Sequence, residues 1–532
     1  MVPDVKKRIA IAGGGFSGCA FIAMLKEEGG MEPICFEKTD RLGGTWSYRE
    51  ESTIGVPSIM PTTIINHSKE IGAFSNYPPP KELPNYMKHS ELHEFFMSYA
   101  TEKGVLNHIQ YNSEVVEVKR AADYEKTGRW IVSVKNTLSG EVTSDTYDGV
   151  AICVGHINVP KWPSYEGQDK FKGKIIHSHS VKGVAPYEKK NVVVVGMGCS
   201  GLDAAVEISS VAKQVYLSTR TGAHVLNRVG PDGLPIDHAL ARRYITFLID
   251  LLPANLLSWL LETVLIDPKF NSNLYAVKPK FHVLSKDPVL NDHLASKLLS
   301  GSIIQKRDIS KFTENGVLFE GESSVNEADV VIMATGYTWK FPFLEEDIRT
   351  EMEKQLTLYK CTWYPDLKHS TLAFVGFFLP FGPSFPMGEM QCRWVAQVFA
   401  GNLKLPSKEK MMDDIKKRLE INEQRYAPCS KQGVRVDYTQ FQDEIAELIG
   451  AKPNFYKMLF TDPQLWFKLI FGPSVSYQYR LQGPHPWEGA REAIMKCDER
   501  VLWPLKRKEV ERVESSFVRF GKKFLYFLLP FS

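Results

Sequence analysis

Two stretches constrain this chain more than anything else in it: "RIAIAGGGFSGCAFIAML" from Arg8 and "NVVVVGMGCSGLDAAVEI" from Asn191. In each, an apolar run (Ile9 to Ala12, or Val192 to Val195) leads straight into a glycine-rich turn. The glycines are Gly13, Gly15 and Gly18 in the first and Gly196, Gly198 and Gly201 in the second, and a helical pattern follows both. Glycine at those spacings serves a tight turn, close approach of the backbone to a pyrophosphate, and close packing of the helix on its strand. One such turn is weak evidence. Two in one chain predict a duplicated dinucleotide-binding unit and an α/β fold.

The residues beyond the turns distinguish the two units. "EPICFEK" reads as a strand ending at Glu37, about twenty residues past Gly18, where a carboxylate accepts hydrogen bonds from an unphosphorylated ribose. "DRLGGTW" follows, and Gly43 and Gly44, with Thr45 and Trp46, resemble the second flavin-contacting turn of two-dinucleotide flavoproteins. At the matching place in the second unit, after "QVYLSTR", stands Arg220, with Arg228 following in "VLNR". An arginine pairs with a phosphate that a carboxylate would repel. The first turn is therefore expected to bind FAD and the second NADPH.

At 532 residues the chain exceeds what one hydrophobic core supports. The expected division is an FAD-binding domain over 1–157, an NADPH-binding domain over 158–330 with a helical insertion near 221–298, the rest of the FAD domain over 331–445, and a C-terminal substrate-tunnel and membrane-associating region over 446–532. "VAICVGH" and "DVVIMATGY" read as apolar strands ending where the chain crosses between the nucleotide domains. A net charge of +3 gives no reason to invoke nucleic acid. The eight cysteines form no C-x-x-C pair and read as free thiols in a reducing compartment, and with the first strand expected within the first dozen residues no leader is expected. No run of eighteen apolar residues predicts a membrane span. Tyr244 to Leu265 comes close but carries Asp250, Pro253 and Glu262, and the end of the chain sets a short apolar tail behind Arg519, Lys522 and Lys523.

The sequence resembles the flavin-containing monooxygenases, in particular the long animal microsomal, dimethylaniline monooxygenase type. "FKGKIIH", from Phe171 to His177, matches the first part of that family's identifying pattern, and "IINHSKE", "MATGY", "RWVAQV", "AKPN" and "FGPSVSYQYRLQGPHPWEGAR" resemble other family segments. Two positions depart from the pattern: Val181 stands where an aromatic closes it, and Leu379 where a glutamine is common. The resemblance implies a monooxygenase in which NADPH reduces FAD, the reduced flavin captures O2 as a C4a-hydroperoxide, and a soft nitrogen or sulfur nucleophile takes the distal oxygen. Such chemistry needs no Ser/His/Asp triad, redox cysteine pair or metal, and none stands at a recognisable spacing.

Asn66 in "IINHSKE" occupies the position of the family's catalytic asparagine, flanked by Ile65 and His67. Gly14, Phe16 and Ser17 complete the first cofactor turn, and Ser200, Gly201, Leu202 and Asp203 offer the helix N-terminus of the second to a pyrophosphate. His177 reads as structural. A Baeyer–Villiger oxygenase of ketones, a mainly NADPH-oxidising enzyme and a non-enzymatic NADPH sensor are the alternatives. The expected partners are lipophilic amines or sulfides, O2 and a membrane entered from one face. The resemblance places that membrane at the endoplasmic reticulum with the catalytic domains facing the cytosol, and it leaves a homo-oligomer open.

Overall fold

A computed structural model describes residues 6–505 apart from residue 430 and the side chain of residue 232. The expected tail anchor, Lys506 onward, lies outside the described residues.

Two five-stranded parallel sheets organise the chain. In the first, Lys7–Ala12 lies between Met31–Phe36 and Gly149–Ile152, with Ile109–Gln110 and Leu372–Phe374 at the edges. In the second, Asn191–Val195 lies between Gln214–Ser218 and Val330–Met333, with Ile303–Lys306 and Lys174–His177 at the edges. Gly149–Ile152 and Val330–Met333 are buried end to end and Asn191–Val195 from its second residue, as parallel strands covered on two faces must be. Each unit also carries a three-stranded antiparallel sheet, Ser113–Arg120 with Trp130–Asn136 and Val142–Tyr147 in one, Ile309–Thr313 with Gly316–Phe319 and Asn326–Glu327 in the other. The duplication thus extends beyond the glycine turns. Leu372–Phe374, far along the chain, returns to the first sheet beside Gly149–Ile152, so the second unit is nested within the first.

One core joins the first sheet to the helix Phe16–Glu28, the long helix Ser384–Ala400 and the segment around Val475–Tyr479. Between Gln214–Ser218 and Ile303–Lys306 runs the expected helical insertion. It is tied down by the parallel pair Val225–Leu226 and Val289–Leu290. Its apolar stretch breaks at Pro253 into the helices Arg243–Leu251 and Ala254–Leu261. Proline has no N–H to continue the first helix and is pre-shaped to begin the second. Each helix buries only part of its surface: Arg243–Leu251 buries no residue and Ala254–Leu261 sends Leu257 into a small core, while Phe247, Leu251 and Trp259 stand 64%, 63% and 59% exposed. Among the described residues no helix is long and apolar enough to cross a membrane.

Candidate functional site

The two glycine turns are near copies. Gly13 and Gly196 both lie at positive φ, +103° and +113°. A Cβ would fall 2.7 Å from the Cys153 carbonyl oxygen in one and 2.4 Å from the Ala334 carbonyl oxygen in the other. Those carbonyls end the two crossing strands, whose next amides donate back to Ala12 and Val195. At Gly18 and Gly201 a Cβ would lie 2.0 and 2.1 Å from the carbonyl oxygens of Gly13 and Gly196, so each helix packs on its own turn with no space for a side chain. By contrast a Cβ on Gly198 would meet nothing within 4 Å. That face of the turn is open.

Both helices begin without help from a side chain. Gly15 and Gly198 are the caps, neither makes a side-chain cap bond, and neither first turn contains an acid. Their leading N–H groups and positive dipole ends are thus available to a pyrophosphate. Ser200 is exposed there, but Leu202 is not a contact: its side chain is buried in the core and its N–H already donates to Gly198 O at 2.9 Å. Helix periodicity turns that position inward. Asp203 faces Asn291 at 3.4 Å, and burial pushes its carboxyl up to about 6, with Arg228 opposing the shift.

In the first unit Gly43 and Gly44, at φ +112° and +52°, bring "DRLGGTW" against the glycine turn. Gly43 N–H donates to Gly14 O at 3.2 Å, and a Cβ on Gly44 would lie 3.2 Å from Gly15 Cα. The short helix Gly44–Trp46 then carries Thr45 and Trp46 past this cradle. Phe16 stacks on Phe385 and Phe74 at 4.2 and 4.7 Å, and with Trp46 they line a small apolar cleft. Ser17 approaches the backbone of Gly376: a Cβ on that glycine would lie 2.7 Å from Ser17 Oγ. Glu37 directly follows its strand, which ends at Phe36, one residue before the expected end. Its Oε2 accepts the Gly14 N–H at 2.8 Å while its Oε1 accepts the Thr39 amide and hydroxyl at 2.9 and 2.6 Å. The carboxylate therefore props the turn.

Asn66 stands where the two units meet. Its Oδ1 accepts from Arg228 Nη2 at 2.8 Å and its Nδ2 lies 3.5 Å from the sulfur of Cys199, the first residue of the second nucleotide helix. Ile65 is buried, and its N–H donates to Met87 O at 3.0 Å. His67 packs edge-on against Phe385, and burial lowers its imidazole to about 4, so it is neutral at pH 7.

Arg228 is placed differently from its expected role at a ribose phosphate. Its guanidinium pairs with Asp292 at 2.9 Å, its own N–H donates to the same carboxylate at 2.8 Å, and the remaining fork holds Asn66 and the carbonyls of Ile64 and Ile65. Arg220 does remain at the end of its strand, exposed and without an ion pair among the described residues. The sequence reading missed its neighbour Lys286, whose ammonium reaches Thr221 Oγ1 at 3.4 Å. Burial lowers the Lys286 pKa, and Arg435 and Arg220 repel it further. Asp287, the carboxylate that opposes this shift, is itself paired with Arg435, so neither Arg220 nor Lys286 has an ion pair among the described residues.

His177 is structural, as expected. Its Nδ1 accepts the His179 N–H at 3.1 Å, which leaves Nε2 protonated to donate to Gly336 O at 3.1 Å, and burial lowers its pKa to about 4. It pins an edge strand to the crossing segment "ATGY". Val181 is buried in the core of the second unit, and Leu379 pairs in register with Arg435, so both departures from the pattern fill structural positions. The fold also gathers His238, Cys497 and Asp498 from distant segments, although Asp498 is already held by Lys468.

The flavin-binding monooxygenase-like family profile matches residues 6–531. Flavin-containing monooxygenase 5 of Rattus norvegicus is 42% identical over 512 residues, 96% of this chain and 95% of that protein. The N-oxide-forming dimethylaniline monooxygenase 2 of Oryctolagus cuniculus is 40% identical over 521 residues, 98% of this chain and 97% of that one. The S-allyl-L-cysteine S-oxygenase of Allium sativum superposes with a TM-score of 0.63 at 22% identity, covering 92% of this chain and 99% of its own. Cyclohexanone monooxygenase from Rhodococcus sp. Phi1, bound to NADP+, does so at 0.60 and 15%, covering 84% and 98%. At those identities the two structures establish a shared fold.

Proposed function

Since this chain belongs to the flavin-binding monooxygenase-like family, and is therefore a flavin-dependent monooxygenase, we propose that it uses NADPH and O2 to oxygenate soft nitrogen or sulfur nucleophiles beside Asn66. The observation that carries this reading is the position of Asn66, an uncharged amide clamped where the two dinucleotide units meet. FAD, when bound, supplies the oxygen chemistry, and the protein supplies binding, orientation and exclusion of water.

The uncapped helix at Gly15 and the Gly43–Gly44 turn would hold the FAD pyrophosphate, and Glu37 its ribose. The uncapped helix at Gly198 would hold the pyrophosphate of NADPH, and Arg220 with Lys286 its ribose phosphate. Arg228 engages Oδ1 of Asn66, which fixes the amide with its NH2 beside the Cys199 sulfur, one of its two hydrogens still able to be donated without transfer of a proton. The aromatic rings of Phe16, Trp46 and Phe385 keep the neighbouring cleft apolar. His67, His156 and His177 are all lowered to about 4 by burial, so these three imidazoles are neutral at pH 7. The test is anaerobic bleaching of the bound flavin by NADPH, then aeration with a tertiary amine, a thioether or a ketone. N- or S-oxide formed in step with NADPH supports the reading. Ester formation alone would move the enzyme to Baeyer–Villiger chemistry, and peroxide alone would make it an oxidase.

We further propose that the insertion and the helices Phe455–Thr461 and Pro463–Phe471 rest on a lipid surface, that of the endoplasmic reticulum, with the nucleotide domains on the cytosolic side. Supporting this, Phe455–Thr461 buries no residue, Tyr456 and Phe460 are 80% and 71% exposed, and Tyr244 of the insertion meets Phe471 at 5.7 Å. Contiguous exposed apolar faces of this kind suit the interface of a bilayer. Flotation with anionic vesicles tests it. Wild-type protein should float and Phe247→Asp/Trp259→Asp should float less, whereas full-length protein that ignores vesicles and needs no detergent would exclude the proposal.

A further inference from the structure

We propose that Asp237 is a positioning residue for Asn66, its carboxylate holding from the insertion the loop that carries the amide; the inference rests on the role just given to Asn66. Asp237 lies in the first turn of the short helix Ile236–Leu240, and its Oδ2 accepts the Ser68 N–H at 2.6 Å. Ser68 follows Asn66 by two residues and is fully buried. The contact is long-range, between the insertion of the second unit and the catalytic loop of the first.

The same turn of the insertion also holds Arg228, the second anchor of that loop. Ile236 N–H donates to Arg228 O at 2.9 Å, and the Tyr86 hydroxyl donates to Arg228 O at 2.7 Å while standing 3.2 Å from the Ile236 amide. Arg228 then holds the side chain of Asn66, and Asp237 holds the backbone beyond it. Asn66 and His67 are thus stretched between two anchors on one short segment.

The carboxylate is an expensive choice for mere packing. Its Oδ1 is buried with no hydrogen-bond partner, as is the Ser68 hydroxyl, and no ion pair among the described residues involves it. A buried acid without a counter-charge destabilises the fold when ionised. The titratable groups facing it are the phenols of Tyr86 and of Tyr438, at the head of the helix Tyr438–Leu448, both pushed up in part by its charge. Burial raises its own carboxyl to about 6, with the bond from the Ser68 N–H opposing the shift. Ionised, it is a stronger acceptor for the Ser68 N–H than its neutral form. The grip on the loop should therefore tighten as pH rises through that range.

Three proteins test this with two readouts: peroxide released per NADPH consumed, and hydrogen exchange of the peptide spanning 62–72 in the holoenzyme. In wild-type protein the peroxide share should rise as pH falls from 8 to 5.5. Asp237→Ala leaves the Ser68 N–H without an acceptor, so exchange should quicken and the peroxide share at pH 8 should rise about five- to tenfold. Asp237→Asn restores a neutral acceptor, so exchange, corrected for its intrinsic pH dependence, should be slower than in Asp237→Ala and match that of the wild type at pH 5.5 across the whole range, with a peroxide share within about twofold of the wild type at pH 5.5 and no step. Unchanged exchange and coupling in Asp237→Ala, or an undiminished pH step in Asp237→Asn, would overturn the proposal. If Asp237→Ala does not fold, the Asp237→Asn profile alone decides. Failure of the functional reading would show instead in the wild-type protein, as flavin that NADPH does not bleach, whatever the exchange data say.

Discussion

Arg220 and Arg228 are both arginines following the same strand, yet the structure sets them in different surroundings, Arg228 against Asn66 and Arg220 exposed, and on the proposed function replacing each in turn should separate cofactor choice from oxygen transfer. Arg228→Met keeps the length and apolar stem of the side chain but removes the donor 2.8 Å from Asn66 Oδ1. A hydrogen bond from a charged donor contributes about 1.5–3 kcal/mol. Because Asn66 is itself exposed, the lower end applies, and ~1.5 kcal/mol is about a tenfold loss in the preference for one amide orientation. The peroxide share of NADPH consumption should rise by up to about that factor, while the KM for NADPH and the preference over NADH stay near wild type. Arg220→Ala should do the reverse. Its KM for NADPH should rise about tenfold or more with NADH kinetics and coupling unchanged, since only the phosphate contact is lost. Stopped-flow reduction with each nicotinamide and a peroxide assay read both effects. If Arg228→Met erodes the NADPH preference as Arg220→Ala does, the assignment of Arg228 to Asn66 is wrong.

Lys286→Ala should weaken NADPH by less than Arg220→Ala, and the double variant by more than either, measured as KM for NADPH at fixed ionic strength. Gly18→Ala, whose Cβ would lie 2.0 Å from Gly13 O, should yield protein without flavin absorbance, whereas Gly201→Ala should retain FAD and lose bleaching by NADPH. His67, His156, His177 and His238 are all lowered by burial to about 4, below the ordinary histidine value. Their neutral forms favour the fold, so their contribution is present above about pH 6.5 and is lost as pH falls toward 4. Thermal midpoints should fall across that window, and His177→Asn should shallow the fall.

What the sequence made legible was what the backbone does locally. The glycine turns could be read because strand, turn and helix are adjacent in the chain and their spacing is set by backbone geometry. Glu37 was found by the same local count, although its bonds to Gly14 and Thr39 were not. Arg228 met the count and was misassigned because its partners, Asp292 and Asn66, lie 64 and 162 residues away. Lys286 and Asp237 gave no signal at all, being ordinary charged residues until the insertion folds them against Thr221 and Ser68. Leu202 was chosen by proximity to the turn, where helix phase points it into the core. The matching antiparallel sheets were missed because their alternating, half-exposed strands resemble loops more than the buried parallel ones do.

Asn66→Asp tests the central claim most directly. The introduced carboxylate can pair with Arg228, so the loop should keep its anchor, but it cannot donate the hydrogen bond that the amide NH2 donates. The account predicts that the variant retains FAD and is bleached by NADPH at the wild-type rate, then on aeration releases peroxide nearly in step with NADPH and forms little N- or S-oxide. Oxygenated product at the wild-type ratio to NADPH would remove Asn66 from the chemistry.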